Sequence, residues 1–176
     1  MTSSSEIIVS ADPLNLEALN LAVQNTSGES GAAVIFTGAV RAVRDSKGLT
    51  GMTLEHYPGM TENQLQNIVD EATKRWLLIG VTVAHRVGFL KPGDPIVFVG
   101  VCSLHRQAAF EGAQYIMDFL KNKATFWKKE IYYKDGENKS IWVSAKDSDE
   151  KVVNGTAAST TTYPWMASLF VESGPN

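Results

Sequence analysis

Residues 101–130 read VCSLHRQAAFEGAQYIMDFLKNKATFWKKE, and the rest of the fold is predicted outward from this stretch. The apolar run 96–101 predicts a buried strand that leads into His105 and Arg106. Apolar residues then recur at the period of a helix with one apolar face. The strand and the helix therefore meet at the His105–Arg106 pair. The predicted apolar face consists of Ala109, Ala113, Ile116, Met117 and Leu120.

A strand-to-helix junction of this kind favours an anion. The first N–H groups of a helix lack intrahelical partners, and the helix dipole is positive at that end. Lysines interleaved with Phe126 and Trp127 follow the helix, and a lysine in such a setting can act as acid, base or nucleophile. A helix cap with an ordinary surface ion pair explains the same pattern, so the pattern alone leaves both interpretations open. The lysines are Lys121, Lys123, Lys128 and Lys129.

Length and composition narrow the class of protein. A chain of 176 residues is expected to form one domain with a real core, and a net charge of −3 argues against a general nucleic-acid binder. The single cysteine, Cys102, rules out an internal disulfide and is predicted to be a buried thiol. The first residues do not read as a signal peptide, and no run approaches the ~20 apolar residues of a membrane span. We expect a soluble cytosolic protein that binds no membrane.

Strands and helices are mixed along the chain and joined by hairpin-like connections, which predicts an α+β fold with a largely antiparallel sheet. Gly38, inside an apolar strand, predicts a bulge or a close approach of the backbone to a ligand. Residues 1–149 are predicted to form a single domain, and the Ser/Thr-rich segment 150–176 a tail that is partly disordered. The predicted strands are 4–10, 32–40, 50–57, 79–87 and 96–101, with a hairpin of 126–133 and 140–145.

Two helix starts are predicted from capping residues. Asp12 and Pro13 read as the N-cap and first residue of a helix that ends near residues 25–26. Thr61 and Gln64 read as the capping box of a second amphipathic helix, which extends to Trp76.

Several familiar motifs are absent. The glycines do not have the spacing of a phosphate-binding loop, and no serine lies in a nucleophile elbow. His56, His85 and His105 fall in separate elements, so no metal site is predicted. His56 is interpreted as a structural histidine and His85 as a residue on the solvent face of the sheet. The residues alone predict an anion pocket in which Arg41, His105 and Arg106 bind the anion and Lys121 and Lys128 are reactive.

Four segments carry a specific resemblance. They read GAAVIFTGAVR, MTLEHYPGMTE, HRVGFLKPGDPIVFVGVCSLHR and AFEGAQYIMDFLKNKATFWKKE. In this order and with similar gaps, over residues 31–145, they resemble the catalytic (large) subunit of molybdopterin synthase. The resemblance implies an α/β hammerhead-type fold with an additional antiparallel β subdomain. It also implies a central homodimer within a heterotetramer, in which each protomer binds a small ubiquitin-like sulfur-carrier subunit.

The resemblance implies a sulfurtransferase without metal or organic cofactor. The thiocarboxylated Gly-Gly C-terminus of the carrier would enter a pocket of the large subunit. Two sulfurs would then convert cyclic pyranopterin monophosphate to molybdopterin, a step of molybdenum cofactor biosynthesis. Lys121 and Lys128 match the two essential lysines of the family, and Lys146 matches a basic residue supplied across the dimer, often arginine in the family. The other substrate-binding residues that the family pattern implies are Ala39, Val40, Arg41, His105, Arg106, Lys129 and Glu130.

A different class of function remains open at this point. The basic and aromatic run 121–130 could dock a protein tail or single-stranded nucleic acid on a non-catalytic module. The intact set of Arg41, His105, Arg106, Lys121 and Lys128 favours the enzyme, because a degenerate relative would be expected to have lost at least one of them.

Overall fold

The computed structural model describes residues 3–26, 30–41, 49–134 and 136–143. Eight strands and three helices lie in these ranges, and the strands form two four-stranded sheets. In chain order the elements are β1 (Ser4–Ser10), α1 (Leu16–Thr26), β2 (Ala32–Ala39), β3 (Leu49–His56), α2 (Met60–Trp76), β4 (Gly80–Arg86), β5 (Gly88–Leu90), β6 (Pro95–Ser103), α3 (Arg106–Asn122), β7 (Phe126–Lys134) and β8 (Glu137–Val143).

The first sheet has the order β1-β4-β6-β2 and is antiparallel except for the parallel pair β1 and β4. The second sheet has the order β5-β3-β7-β8 and is antiparallel throughout. The predicted α+β fold with a largely antiparallel sheet is confirmed, and β1 lies at a sheet edge.

The first sheet is covered on both faces. Val97, Val99 and Val101 of β6 point to one face and pack against α2 and α3. Phe98 and Cys102, the alternating residues, pack on the other face with α1. The buried thiol predicted for Cys102 is confirmed: its Sγ donates to a backbone carbonyl oxygen at 3.3 Å, and burial raises its pKa. A strand in the middle of this sheet therefore has no solvent face. His85 belongs to such a strand, β4.

Helix α3 lies where the sequence predicts it. Its predicted apolar face is confirmed, since four of the five residues are buried and Met117 packs against the same core. Two further residues of the helix are also buried, Gly112 and Tyr115. Gly112 allows a close approach, because a Cβ at this position would lie 2.9 Å from a methyl carbon of Leu78. The helix is therefore held tightly along its length, which fixes the positions of both ends.

The two predicted helix starts are wrong. Helix α1 begins at Leu16 rather than at Asp12–Pro13, because the side chain of Asn15 accepts a hydrogen bond from the N–H of Ala18 at 3.0 Å. Helix α2 begins after Gly59, whose N–H donates to the carboxylate of Glu62 at 2.6 Å. The capping pair is therefore Gly59 and Glu62, not Thr61 and Gln64. Thr61 is fully buried, and its hydroxyl lies 3.0 Å from that of Thr125.

The predicted hairpin is confirmed, but its turn is shorter than expected. Strand β8 starts at Glu137 rather than at residue 140, and Gly136 supplies a positive φ of 84°. The bulge predicted at Gly38 is confirmed, since the register of β2 against β6 shifts between Gly38 and Ala39. In the described ranges no helix is long and apolar enough to cross a membrane. The predicted tail, 150–176, lies outside the described residues.

Candidate active site

A cavity of about 320 Å³ opens between the two sheets, beside the C-terminal end of α3. One part of its lining is polar and mostly cationic, and the remainder is apolar. The polar part consists of Arg41, His85, Lys121, Lys128 and Glu130. The remaining residues are Ala39, Val40, Leu49, Met52, Leu54, Ile96, Leu120, Phe126 and Val143. Of the site residues predicted from the sequence, the fold thus brings Ala39, Val40, Arg41, Lys121, Lys128 and Glu130 together.

Arg41 reaches the cavity because of the backbone that precedes it. The bulge at the end of β2 redirects the chain, and Val40 is buried in the small core of the second sheet. The N–H of Val40 donates to the carbonyl oxygen of Asp94 at 3.0 Å, and the N–H of Gly93 donates to that of Val40 at 2.8 Å. The turn between β5 and β6 therefore holds the residue before Arg41 from both sides.

Lys121 lies in the last turn of α3. Its neighbour Leu120 is buried in the main core, so the backbone is anchored while the exposed lysine side chain lines the cavity. The helix ends just beyond this lysine, where the N–H of Lys123 donates to the carbonyl oxygen of Phe119 at 2.8 Å. An ammonium group here also complements the negative end of the helix dipole.

Lys128 and Glu130 alternate along β7 and therefore share one face of the second sheet. The Nζ atom of Lys128 lies 3.2 Å from Oε1 of Glu130, whose side chain is 5% exposed. The hydroxyl of Tyr132 donates to the other carboxylate oxygen of Glu130. A buried carboxylate bonded on both oxygens fixes its ammonium partner, so Lys128 is held in one place at the cavity wall.

His85 is buried, and its predicted position on a solvent face is wrong. The sequence interpretation places it on the solvent face of the sheet, but β4 is an inner strand covered on both sides, and His85 is 8% exposed. Its ring stacks on that of Phe126, with centroids 3.9 Å apart and planes 16° apart. Burial lowers its pKa to about 4, so the ring is neutral near pH 7. Polarity alone could not reveal this, because the ring that covers His85 belongs to Phe126, in a strand of the second sheet.

The burial of His85 predicts how stability depends on pH. Above pH 6.5 both the folded and the unfolded chain carry a neutral His85. As the pH falls from 6.5 towards 4, the unfolded chain binds a proton that the folded chain does not, so the free energy of unfolding falls. At pH 5 this loss is about 2 kcal/mol relative to pH 7. Urea titrations of the wild type and His85→Gln at both pH values measure it. An equal fall in both proteins would contradict the assignment.

His105 and Arg106 do not reach this cavity within one chain. His105 is the N-cap residue of α3 and lies about 24 Å from Lys121 along the helix axis. The predicted strand-to-helix junction is confirmed, and both side chains are exposed there. In a single chain the fold therefore separates the two predicted anion-binding residues from the two predicted reactive lysines.

Lys129 lies on the opposite face of β7 from Lys128. Its Nζ atom is 5.5 Å from the ring centroid of Trp142, so it faces away from the cavity that it was predicted to line. Lys146, predicted to act across the dimer, lies outside the described residues. Within the described ranges no three His, Cys, Asp or Glu side chains are grouped as metal ligands, and the absence of a metal stays a prediction.

Comparisons with known proteins give a consistent result. Residues 9–123 match the family model described as MoaE protein. The molybdopterin synthase catalytic subunit of Escherichia coli is 54% identical over 123 residues, which cover 70% of this chain and 79% of that protein. The MoaE protein of Burkholderia ambifaria has a similar structure, with a TM-score of 0.69, 40% identity, and coverage of 85% of this chain and 95% of that one. Molybdopterin synthase from Staphylococcus aureus gives a TM-score of 0.68 at 32% identity, covering 79% and 96% of the chains.

Proposed function

The chain belongs to the MoaE family of molybdopterin synthase catalytic subunits, and we propose that its sulfur transfer takes place in the cavity between Arg41, Lys121 and Lys128. The substrate is cyclic pyranopterin monophosphate and the product is molybdopterin. The observation that supports this location is the convergence of three cationic side chains from three separate parts of the chain on one cavity. A cyclic phosphate requires such donors, and a guanidinium group binds phosphate oxygens in pairs.

The sulfur donor in this proposal is the thiocarboxylated C-terminus of a small ubiquitin-like carrier subunit. Lys128 binds the thiocarboxylate, whose negative charge it complements. The sulfur attacks a substrate carbon, so that a C–S bond forms and a C–O bond breaks. Lys121 donates a proton to the departing oxygen, which leaves as water. The carrier and the substrate are then joined through an acyl–sulfur bond.

Water hydrolyses that acyl–sulfur bond in the next step. The carrier leaves with an ordinary carboxylate, and the substrate keeps one sulfur. A second thiocarboxylated carrier delivers its sulfur to the neighbouring carbon, where the departing oxygen stays on the phosphate and the cyclic ester opens. Loss of a second water then forms the carbon–carbon double bond of the dithiolene. The half-sulfurated intermediate must stay bound between the two rounds, which requires several contacts to its phosphate.

The proposal includes a central homodimer with one carrier bound to each protomer, and it places the reaction in the cytosol. Within one chain, His105 and Arg106 lie about 24 Å from Lys121 along α3, and a second copy of the chain would bring its own His105 and Arg106 to this cavity.

The test of this shared site mixes two inactive variants, Lys121→Ala and His105→Ala/Arg106→Ala. If the site is built from two chains, mixed dimers contain one intact site and recover activity. A mixture that stays inactive although the subunits exchange would contradict the shared site.

Reconstitution tests the function itself. The purified chain is incubated with a thiocarboxylated carrier subunit and cyclic pyranopterin monophosphate, and the product is oxidised to its fluorescent derivative. We expect product with the thiocarboxylated carrier and none with the unmodified carrier. If the carrier binds and no product forms under either condition, the chain is a binding module rather than an enzyme.

A further inference from the structure

We propose that His85 is a further substrate-binding residue, whose Nε2 accepts a hydrogen bond from an N–H or O–H group of the pterin. The inference rests on the proposed function, from which it takes the class of substrate. It concerns a residue that the sequence does not single out and that the fold brings into the cavity with Lys121 and Lys128.

The hydrogen bond of the other ring nitrogen determines which atom of His85 is the acceptor. Nδ1 lies 3.0 Å from the carbonyl oxygen of Arg86. A carbonyl oxygen can only accept, so Nδ1 carries the proton. In a neutral imidazole the second nitrogen, Nε2, then has a free lone pair.

Nε2 is available to a bound molecule. It has no hydrogen-bond partner in the part of the chain that the structure describes, and it is not cut off from solvent. The ring is held in place by its stacking on Phe126, by the bond to Arg86 and by the backbone of an inner strand. Binding of a ligand therefore does not have to immobilise this side chain, and the entropy cost of the hydrogen bond is low.

The other described side chains that line the cavity offer no free acceptor of this kind. Arg41, Lys121 and Lys128 can only donate hydrogen bonds. Among the described side chains that line the cavity, only Glu130 and His85 have an oxygen or nitrogen acceptor, and Glu130 is bonded to Lys128 and Tyr132. Cationic side chains suit a phosphate, but they cannot accept hydrogen bonds from the N–H groups of a pterin. His85 supplies a partner for them.

The environment of the ring keeps this acceptor available. Burial lowers the pKa of His85 to about 4, so Nε2 stays unprotonated near pH 7. Protonation would turn the acceptor into a donor and add a positive charge to a cavity that Arg41, Lys121 and Lys128 also line. The groups packed around the ring include Phe126, which is uncharged, and His56, which lies close enough to disfavour a second charge.

Two substitutions separate binding by Nε2 from a purely structural role. His85→Phe keeps a ring that can stack on Phe126 but removes the acceptor. His85→Gln retains an oxygen acceptor on a side chain of similar reach. His56→Gln is the matched control, because the Nε2 atom of His56 lies 3.5 Å from a carboxylate oxygen of Glu62 and His56 does not line the cavity. Each protein is titrated by calorimetry with cyclic pyranopterin monophosphate and, separately, with inorganic phosphate, which has no pterin N–H group.

We expect His85→Phe to weaken pterin binding about tenfold, the cost of losing one hydrogen bond, and to leave phosphate binding unchanged. His85→Gln is expected to recover most of the affinity, and His56→Gln to match the wild type. In turnover, His85→Phe should raise KM with kcat near the wild-type value. Pterin binding by His85→Phe within twofold of the wild type, or equal losses of pterin and phosphate affinity, would overturn the inference. A wild-type chain that binds no pterin would instead overturn the proposed function, and the inference with it.

Discussion

Lys121→Ala is expected to lower the rate of the first sulfur transfer about a thousandfold, while the affinity for cyclic pyranopterin monophosphate falls by less than tenfold. The rate falls because the departing oxygen loses its proton donor, and general acids typically contribute between a hundredfold and ten-thousandfold. Binding changes less because Arg41 and Lys128 remain in the cavity. Single-turnover reactions with saturating thiocarboxylated carrier give the rate, and calorimetry gives the affinity.

Lys123→Ala is the matched control for this experiment. Lys123 is an exposed lysine two residues further along the chain and does not line the cavity. We expect its rate and affinity to stay near the wild-type values. A Lys121→Ala protein that forms product at close to the wild-type rate would show that another group donates the proton. A loss of affinity as large as the loss of rate would show that Lys121 acts in binding alone.

Lys128→Met is expected to abolish product formation and to lower the free energy of unfolding by about 2 to 3 kcal/mol. The stability loss follows because the carboxylate of Glu130, almost completely buried, loses the ammonium group 3.2 Å away. The expected loss is smaller than the loss typical of breaking a fully buried ion pair, because the Lys128 side chain is 24% exposed and water screens its charge. Urea unfolding measures the stability, and reconstitution measures the product.

The double variant Lys128→Met/Glu130→Leu separates the two roles of this pair. Replacing both partners by apolar side chains of similar size removes the uncompensated charge, so stability should return to within about 1 kcal/mol of the wild type. Activity should not return, because the thiocarboxylate still lacks its cation. Lys129→Met, on the opposite face of β7, controls for loss of a lysine from this strand and should change stability by less than about 0.5 kcal/mol. A double variant that regains activity would contradict the role of Lys128.

Local patterns predicted much of the fold. The period of apolar residues in α3 was strong enough to fix its apolar face, and a glycine within a β-branched strand correctly indicated the bulge that leads to Arg41. Helix starts failed because several residues near each start can act as caps. Asn15 and Glu62 accept the capping hydrogen bonds, although Asp12 and Thr61 fit the sequence rules equally well.

The candidate site was predictable only in part, because it depends on contacts distant in sequence. Lys121 and Lys128 were identified by their pattern and their resemblance to the family, and the fold places both at one cavity. His85 was missed because its burial depends on strand order and on stacking with Phe126, 41 positions away in the chain. The distance between His105 and Lys121 follows from the predicted helix itself, since 16 residues at the rise of an α-helix span about 24 Å, and a single pocket for both ends within one chain was inconsistent with that helix.

The most direct test of the central claim follows the sulfur atom itself. A carrier subunit whose C-terminal thiocarboxylate contains radioactive sulfur is mixed with the chain and cyclic pyranopterin monophosphate in a single turnover, and the label is traced. Sulfur transfer in the cavity predicts that the label moves to the pterin product with the wild type and stays on the carrier with Lys121→Ala. If the label reached the pterin as fast with Lys121→Ala and with Lys128→Met as with the wild type, the account would be contradicted, because the chemistry would then lie outside this cavity.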